Sequence, residues 1–263
     1  MQKILKWVTI VFSLLIVLIY AFNIEYIFKG IRVTYLTGNN TAFLSDYEYF
    51  DNRAIDASPV AQPWPEHKKY NNISETEKLK TINQEMETKA FLVIKNDSII
   101  YEKYFDGYSE SSKSNSFSMA KSIVVTLLGK AIMEGKIKSL EQPVSDFFDQ
   151  YSTGVGESLT VGDLASMSSG MAWNEKYYSI INITTESYFS EDLRSLILNQ
   201  DIIKTPGKKF RYSSGDTQLL GMVIEKATGT NISDYVRNKF TNPMGFENQA
   251  LWQLDSEKSG IEK

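Results

Sequence analysis

The sequence predicts an α/β (α+β) fold in which a β-hairpin accompanies a helical lobe and one transmembrane helix precedes both. Three patterns support this: an apolar N-terminal run, two short apolar runs separated by Asn96-Asp97, and several amphipathic helical patterns after residue 117. The chain has 263 residues, 42% hydrophobic and 23% charged. That length and composition are enough to bury a sizeable core.

The N-terminal run, "WVTIVFSLLIVLIYAF", is uncharged. With Ile4 and Leu5 included, a helix here would be about 28 Å long, which matches a hydrocarbon core of roughly 30 Å. No small-residue cleavage pattern follows it. Residues 1–24 are therefore predicted to be an uncleaved membrane anchor, with a cleaved signal peptide as the alternative. Basic residues on both flanks leave the orientation open.

Residues 25–87 are interpreted as a stalk and N-terminal extension, and residues 88–263 as the main domain. The stalk contains a β-like piece, "IRVTYL", and a charged helical patch, "SETEKLKTINQEME". The main domain opens with apolar runs at 91–94 and 99–105. Asn96-Asp97 between these runs is typical of a hairpin turn.

Helical periodicity dominates the rest of the chain. Gly135 and Gly229 stand where helices would end. The helix predicted at residues 118–134 is apolar on several faces, so it is predicted to be buried in the middle of a domain. The predicted helices cover residues 118–134, 160–167, 191–198, 214–228 and 233–240.

Several function classes are excluded by residue counts. The net charge is -4 and no cluster of Lys and Arg is visible, which argues against nucleic-acid binding. Cysteine is absent, which excludes disulfides, thiolate nucleophiles and Cys-ligated metals. The single histidine, His67, lies in a Pro-rich stretch interpreted as a solvated loop. Acid-base chemistry is therefore left to Lys, Tyr, Asp or Glu.

Ser118 and Lys121 lie three residues apart in "FSMAKSIVVTLLGK". Helical positions i and i+3 are neighbours on one face, so the hydroxyl and the amine can meet. One interpretation is a nucleophile beside its base. The other is a helix-capping serine and a surface lysine.

Tyr212 precedes a second amphipathic pattern, in "FRYSSGDTQLLGMVIEKATG". A tyrosine hydroxyl can relay a proton between a serine nucleophile and a leaving group, a role that a triad histidine would otherwise take. The alternative is a simple Tyr-Ser turn with Ser214 as the helix N-cap.

Four segments together resemble the serine β-lactamase, DD-peptidase and esterase superfamily, in its class C-like branch, with the greatest similarity to 6-aminohexanoate-oligomer hydrolases. The resemblance runs from Gly30 to the end. The segments are "FLVIKNDSIIYEKYFDGY", "SFSMAKSIVVTLLGKAIMEGKIKSLEQPVSDFF", "LTVGDLASMSSGMAW" and "TPGKKFRYSSGDTQLLGMVIEKATG".

The resemblance implies a β-lactamase/transpeptidase-like fold with an antiparallel sheet flanked by a helical lobe. It implies Ser118 as acylated nucleophile, Lys121 as general base and Tyr212 as proton relay, with the Ser118 N–H as half of an oxyanion hole. The expected substrate is a small-molecule or peptide amide or ester. No cofactor, metal or nucleic acid is expected, and the membrane is the expected partner of the N-terminal helix.

Two departures from the family pattern qualify this expectation. Ser214, the candidate substrate-binding residue, stands where the family commonly has Asn. The family's later Lys-Thr-Gly or His-x-Gly motif does not occur before Lys263. The chain is therefore expected to be a C-terminally incomplete fragment with little activity, since losing one oxyanion donor costs about 100- to 1000-fold in rate.

Two hypotheses of function follow. The first is a hydrolase anchored in the cytoplasmic membrane with its domain periplasmic or extracellular. The second is an inactive remnant or ligand-binding protein of the same fold.

Overall fold

The structure, a computed structural model, describes residues 1–177 and 179–263. Contacts group the chain into two compact units. Unit 1 comprises Met1–Arg53, Asn115–Tyr235 and Leu251–Lys263, and unit 2 comprises Ala54–Ser114 and Val236–Ala250. All four candidate site residues belong to unit 1. The domain boundaries placed at residues 24 and 87 from the sequence remain a prediction.

Helices make up most of the regular structure in the described residues. In chain order they are α1 (Gln2–Ala21), α2 (Tyr26–Val33), α3 (Glu77–Glu85), α4 (Ala120–Met133), α5 (Val161–Ala165), α6 (Ile183–Phe189), α7 (Leu193–Leu198), α8 (Ser214–Thr228), α9 (Ile232–Val236) and α10 (Asn242–Met244). The strands are β1 (Asn52–Ile55), β2 (Ala90–Lys95), β3 (Ser98–Tyr104) and β4 (Ala250–Gln253). β1 pairs with β4, and β2 pairs with β3.

The apolar N-terminal run forms α1, which is 20 residues long, has a mean hydropathy of 2.4 and buries none of its residues in the protein. It is long and apolar enough to cross a membrane, and a signal sequence would have the same properties. The segment is thus a candidate span.

The prediction of a β-like piece at "IRVTYL" is wrong. This segment completes α2 and continues into a 3-10 turn at Tyr35–Thr37. Its β-branched and aromatic residues suit a strand locally, but helical spacing places Tyr26, Ile27 and Val33 on one face. That face packs into a cluster with Phe50 and Phe189. Tertiary burial therefore overrides local β propensity.

The core of unit 1 is built on α8, which packs against α4, α5 and α7. The prediction that the helix after Ser118, apolar on several faces, is buried in the middle of a domain is wrong. Its buried residues follow the i, i+3, i+4, i+7 pattern of a single face: Val124, Leu127, Leu128 and Ala131. Val125 and Met133 are 41% and 82% exposed. Packing of this one face of α4 against α8 is enough to hold α4 in place.

The other predicted helices are present with small shifts at their ends. The helix predicted at 214–228 has those bounds, and Gly229 ends it in the left-handed conformation, with φ 69°. The pattern at 160–167 becomes α5, with Thr160 in a capping box with Asp163. The patterns at 191–198 and 233–240 become α7, and α9 followed by a π-helical turn at Arg237–Thr241.

Unit 2 contains the predicted hairpin. β2 and β3 are antiparallel, with register from Ala90 opposite Tyr104 to Lys95 opposite Ser98. Asn96 and Asp97 both adopt positive φ, 49° and 57°, as a type I′ turn requires. The charged helical patch forms α3. His67 lies in a loop, as predicted, where its Nδ1 accepts a hydrogen bond from the Lys69 amide at 3.1 Å.

Candidate active site

Ser118 lies in a 3-10 turn, Phe117–Met119, that leads directly into α4. The residue before it, Phe117, has a φ of +45°, which is uncommon for a residue with a bulky side chain. The Phe117 amide donates a hydrogen bond to Asn115 Oδ1 at 2.8 Å. This turn leaves Ser118 exposed at the head of α4.

Asn115 is held by a partly buried polar network. Its Nδ2 donates to Asp46 Oδ1 at 3.1 Å and to the Tyr188 hydroxyl at 3.2 Å. The Tyr188 hydroxyl donates to Asp46 Oδ2 at 2.8 Å. Burial, followed by the charge of Asp46, raises the pKa of Tyr188. The hydroxyl therefore stays protonated and keeps donating, which fixes the segment before the nucleophile.

Two side chains converge on the Ser118 hydroxyl. Lys121 Nζ donates a hydrogen bond to Ser118 Oγ at 3.1 Å. The Tyr212 hydroxyl donates to the same oxygen at 2.8 Å. Lys121 Nζ also lies 5.5 Å from the centroid of the Tyr212 ring, within cation-π range. The structure thus brings together the three residues predicted to carry the chemistry.

Tyr212 is placed by the N-terminus of α8. The N-cap is Ser213, whose Oγ accepts a hydrogen bond from the Asp216 amide at 3.1 Å. The alternative in which Ser214 caps the helix is therefore wrong, because Ser214 is already the first helical residue. Ser213 and Ser169 both donate from their hydroxyls to Asp216 Oδ1, at 2.7 and 2.8 Å. Asp216 thereby ties the Tyr212 loop to the Ser-Ser-Gly turn.

Ser214 is bonded to Glu175, a residue that the sequence reasoning missed. The Ser214 amide donates to Glu175 Oε2 at 3.2 Å, and its hydroxyl donates to Glu175 Oε1. The same carboxylate accepts from the Tyr177 hydroxyl at 2.8 Å and from the Trp173 indole N–H. Burial and the Glu175 charge raise the pKa of Tyr177. The signal was an acidic residue among aromatics in "WNEKYY", just after the Ser-Ser-Gly turn.

An open pocket lies beside Lys121, with walls from α4, α8 and the residues around β4. Its lining includes Lys121, Val124, Ser214, Thr217, Gln218 and Trp252. Among residues 1–177 and 179–263, no group of three or more His, Asp or Glu side chains is arranged to hold a metal ion. The chemistry available at this site is that of a hydroxyl, an amine and a phenol.

Ser-x-x-Lys at the head of α4, with a tyrosine in the loop before α8, is the arrangement expected of the β-lactamase/transpeptidase type. The sequence model described as beta-lactamase matches residues 74–261, and the chain belongs to this family. The family resemblance noted in the sequence is confirmed.

Two curated relatives illustrate the similarity. Protein flp of Staphylococcus aureus (strain NCTC 8325 / PS 47) is 23% identical over 178 residues, covering 63% of this chain and 35% of the relative. The 6-aminohexanoate-dimer hydrolase of Paenarthrobacter ureafaciens is 24% identical over 155 residues, covering 54% and 38%. The matches span little more than a third of the length of these curated relatives.

A solved structure from Bacillus anthracis, assigned as a 6-aminohexanoate-dimer hydrolase, superposes with a TM-score of 0.70. It is 20% identical, and the match covers 83% of this chain and 62% of that one. At this level of identity the likeness shows the fold.

Proposed function

We propose that this protein is a membrane-anchored serine hydrolase that cleaves amide or ester bonds through an acyl-enzyme on Ser118. One observation carries the proposal: the Lys121 amine and the Tyr212 hydroxyl both lie within hydrogen-bond distance of Ser118 Oγ, at 3.1 and 2.8 Å. A serine hydroxyl is a weak nucleophile until an adjacent base takes its proton. Lys121 is the nitrogen base beside this hydroxyl.

In acylation, Lys121 offers its nitrogen lone pair to the Ser118 proton while Ser118 Oγ forms a bond to the acyl carbon. The carbonyl electron pair moves to oxygen, where the Ser118 N–H stabilises it. As the intermediate collapses, the C–N or C–O bond breaks. Tyr212 gives its proton to the leaving amine or alcohol and recovers one from Lys121. Both side chains thereby return to their starting protonation states.

Deacylation repeats these transfers with water in place of Ser118. The attacking water loses one proton to Lys121, with the Tyr212 hydroxyl as relay, and the ester bond to Ser118 Oγ breaks. The serine recovers a proton and the carboxylic acid leaves.

The substrate class follows from the family and from the similarity to a 6-aminohexanoate-dimer hydrolase, whose name denotes an amide. Ser214 lines the pocket, but we propose that its hydroxyl is not the substrate-binding group that the sequence suggested. Its hydroxyl already donates to Glu175. We therefore assign Ser214 to holding the Tyr212 loop at the wall of the pocket.

The anchor is α1, and the proposed location of the enzyme domain is outside the cytoplasm. The support is the length and apolar character of α1, none of whose residues is buried in the protein.

Labelling with a fluorophosphonate or a penicillin-type acylating agent tests the chemistry. We expect the adduct on Ser118, located by peptide mass spectrometry, and its loss in Ser118→Ala. Ser122→Ala, which removes an exposed hydroxyl one turn further along α4, is the matched control and keeps the label. An adduct on another residue would contradict the proposal. A folded protein that takes no label from either reagent would favour the ligand-binding alternative.

A further inference from the structure

Helix α2 has a second apolar face that the protein leaves uncovered. Phe28, Ile31 and Tyr35 are 41%, 40% and 51% exposed, and Leu36 is 76% exposed. Phe28, Ile31 and exposed Arg32 follow the i, i+3, i+4 pattern of one face of α2, and Tyr35 and Leu36 lie in the 3-10 turn that follows it. We call Phe28, Ile31, Arg32, Tyr35 and Leu36 the outer stripe.

The outer stripe lies next to the end of the candidate membrane helix. Residues 22–25 alone separate α1 from α2. The Phe28 ring centroid is 6.2 Å from that of Tyr20, which lies in the last turn of α1. Phe28 is therefore level with the end of α1, where an inserted helix would meet the lipid headgroups.

The composition of the outer stripe suits that layer. Aromatic residues and arginine are favoured at membrane interfaces, where apolar rings lie among headgroups and basic groups meet phosphates. Within residues 1–177 and 179–263, no salt bridge within 4.0 Å joins Arg32 to a carboxylate. Its guanidinium is available to an anionic lipid.

We propose that the outer stripe lies in the headgroup layer of the bilayer that α1 enters, with Arg32 contacting lipid phosphate. This inference rests on the proposed anchoring by α1. A bilayer is favoured over a second copy of the chain because the stripe continues the surface of α1, which itself needs lipid around it.

The opposite face of α2 connects the bilayer to the site-bearing unit. Tyr26, Ile27 and Val33 are buried with Phe50 and Phe189. A Cβ added at Gly30 would lie 3.3 Å from the Phe189 ring, so the backbone of α2 packs closely on α6. A helix that packs on the protein with one face and on lipid with the other fixes the position of unit 1 relative to the membrane surface.

The absence of cysteine allows a clean test on the full chain, because single cysteines can be introduced and spin-labelled. Three variants are reconstituted in vesicles of phosphatidylcholine and phosphatidylglycerol. Leu36→Cys reports on the outer stripe and Leu14→Cys on α1. Met133→Cys on α4, where Met133 is 82% exposed, is the aqueous control. Collision rates with oxygen, which enters lipid, and with a nickel chelate, which stays in water, are measured by power saturation.

We expect labels at positions 36 and 14 to favour oxygen and the label at position 133 to favour nickel. If the label at position 36 favours nickel as the label at position 133 does, while the label at position 14 favours oxygen, the inference is wrong. The proposed membrane anchor is then still supported. A label at position 14 that collides with the nickel chelate contradicts both the proposed insertion of α1 and the inference about the outer stripe. Shielding of position 36 from both reagents, with dipolar broadening between labels, identifies a second copy as the occupant and also overturns it.

Discussion

At the scale of the residue, Glu175 organises the loop that carries Tyr212. It accepts four hydrogen bonds, from Ser214 N, Ser214 Oγ, Tyr177 and Trp173. Glu175→Gln keeps the size of the side chain but turns an NH₂ group toward donors. Because a hydrogen bond to a charged group contributes about 1.5–3 kcal/mol, we expect the rate of Ser118 labelling to fall by about 10-fold or more. Labelling kinetics, with circular dichroism to check folding, measure this.

A combined variant separates positioning of Tyr212 from general damage. If Glu175 acts through Tyr212, Glu175→Gln has little further effect in a Tyr212→Phe background, because the two changes disturb one interaction. Glu157→Gln, at an exposed position of unit 1, is the matched control. Additive effects of Glu175→Gln and Tyr212→Phe would show that Glu175 does not work through Tyr212.

At the scale of the element, the start of α8 is packed too closely for any side chain at Gly215. A Cβ there would lie 2.5 Å from Trp173 and 2.8 Å from Met171. We expect Gly215→Ala to lower the free energy of unfolding by about 1–3 kcal/mol through overpacking. Gly221→Ala is the control in the same helix, since its Cβ meets nothing closer than 3.9 Å. Chemical denaturation of both variants measures the difference, and equal stabilities would refute the packing argument.

Helix α8 also carries a carboxyl group whose titration affects stability. Burial, followed by the charge of Glu262, raises the pKa of Glu225 to about 7 from an ordinary 4.5, although Arg194 lies 3.1 Å away. The folded state binds this proton more tightly than the unfolded chain does, so stability falls as pH rises through the range from 4.5 to about 7. Gln cannot titrate. We expect Glu225→Gln to raise the melting temperature more at about pH 8 than at about pH 5.

Thermal unfolding at the two pH values measures this effect, with Glu157→Gln as a surface control. If the difference in melting temperature between Glu225→Gln and the unmodified protein is the same at both pH values, the raised pKa of Glu225 does not govern stability.

At the scale of the whole molecule, the orientation of α1 decides where the chemistry takes place. If α1 spans the membrane with its N-terminus inside, the rest of the chain lies outside the cytoplasm. We expect alkaline phosphatase fused after Glu87 to be active in a bacterial host, and a reporter that works only in the cytoplasm to be silent at the same point. Removing residues 1–24 is the control and should silence the phosphatase. The reverse pattern of reporter activities would place the domain inside.

The sequence by itself determined the features that depend on neighbours along the chain. Asn96-Asp97 specifies the hairpin turn, Gly229 ends α8, and the three-residue spacing of Ser118 and Lys121 follows from helical geometry. These are local because turn dihedrals, caps and i, i+3 contacts involve only a few consecutive residues. Residue chemistry suggested a proton-relay role for Tyr212 and the family resemblance implied the same role, but no local rule links Tyr212 to Ser118 across 94 positions.

Only the tertiary structure decided the rest. The segment of α2 reads as a strand but is helical because one face is buried against Phe50 and Phe189. α4 is covered on one side alone because it packs on α8. The link from Asn115 to Asp46 spans 69 positions and that from Ser214 to Glu175 spans 39, so no local pattern reveals either. Such contacts depend on which distant surfaces pack together, and packing is a property of the whole fold.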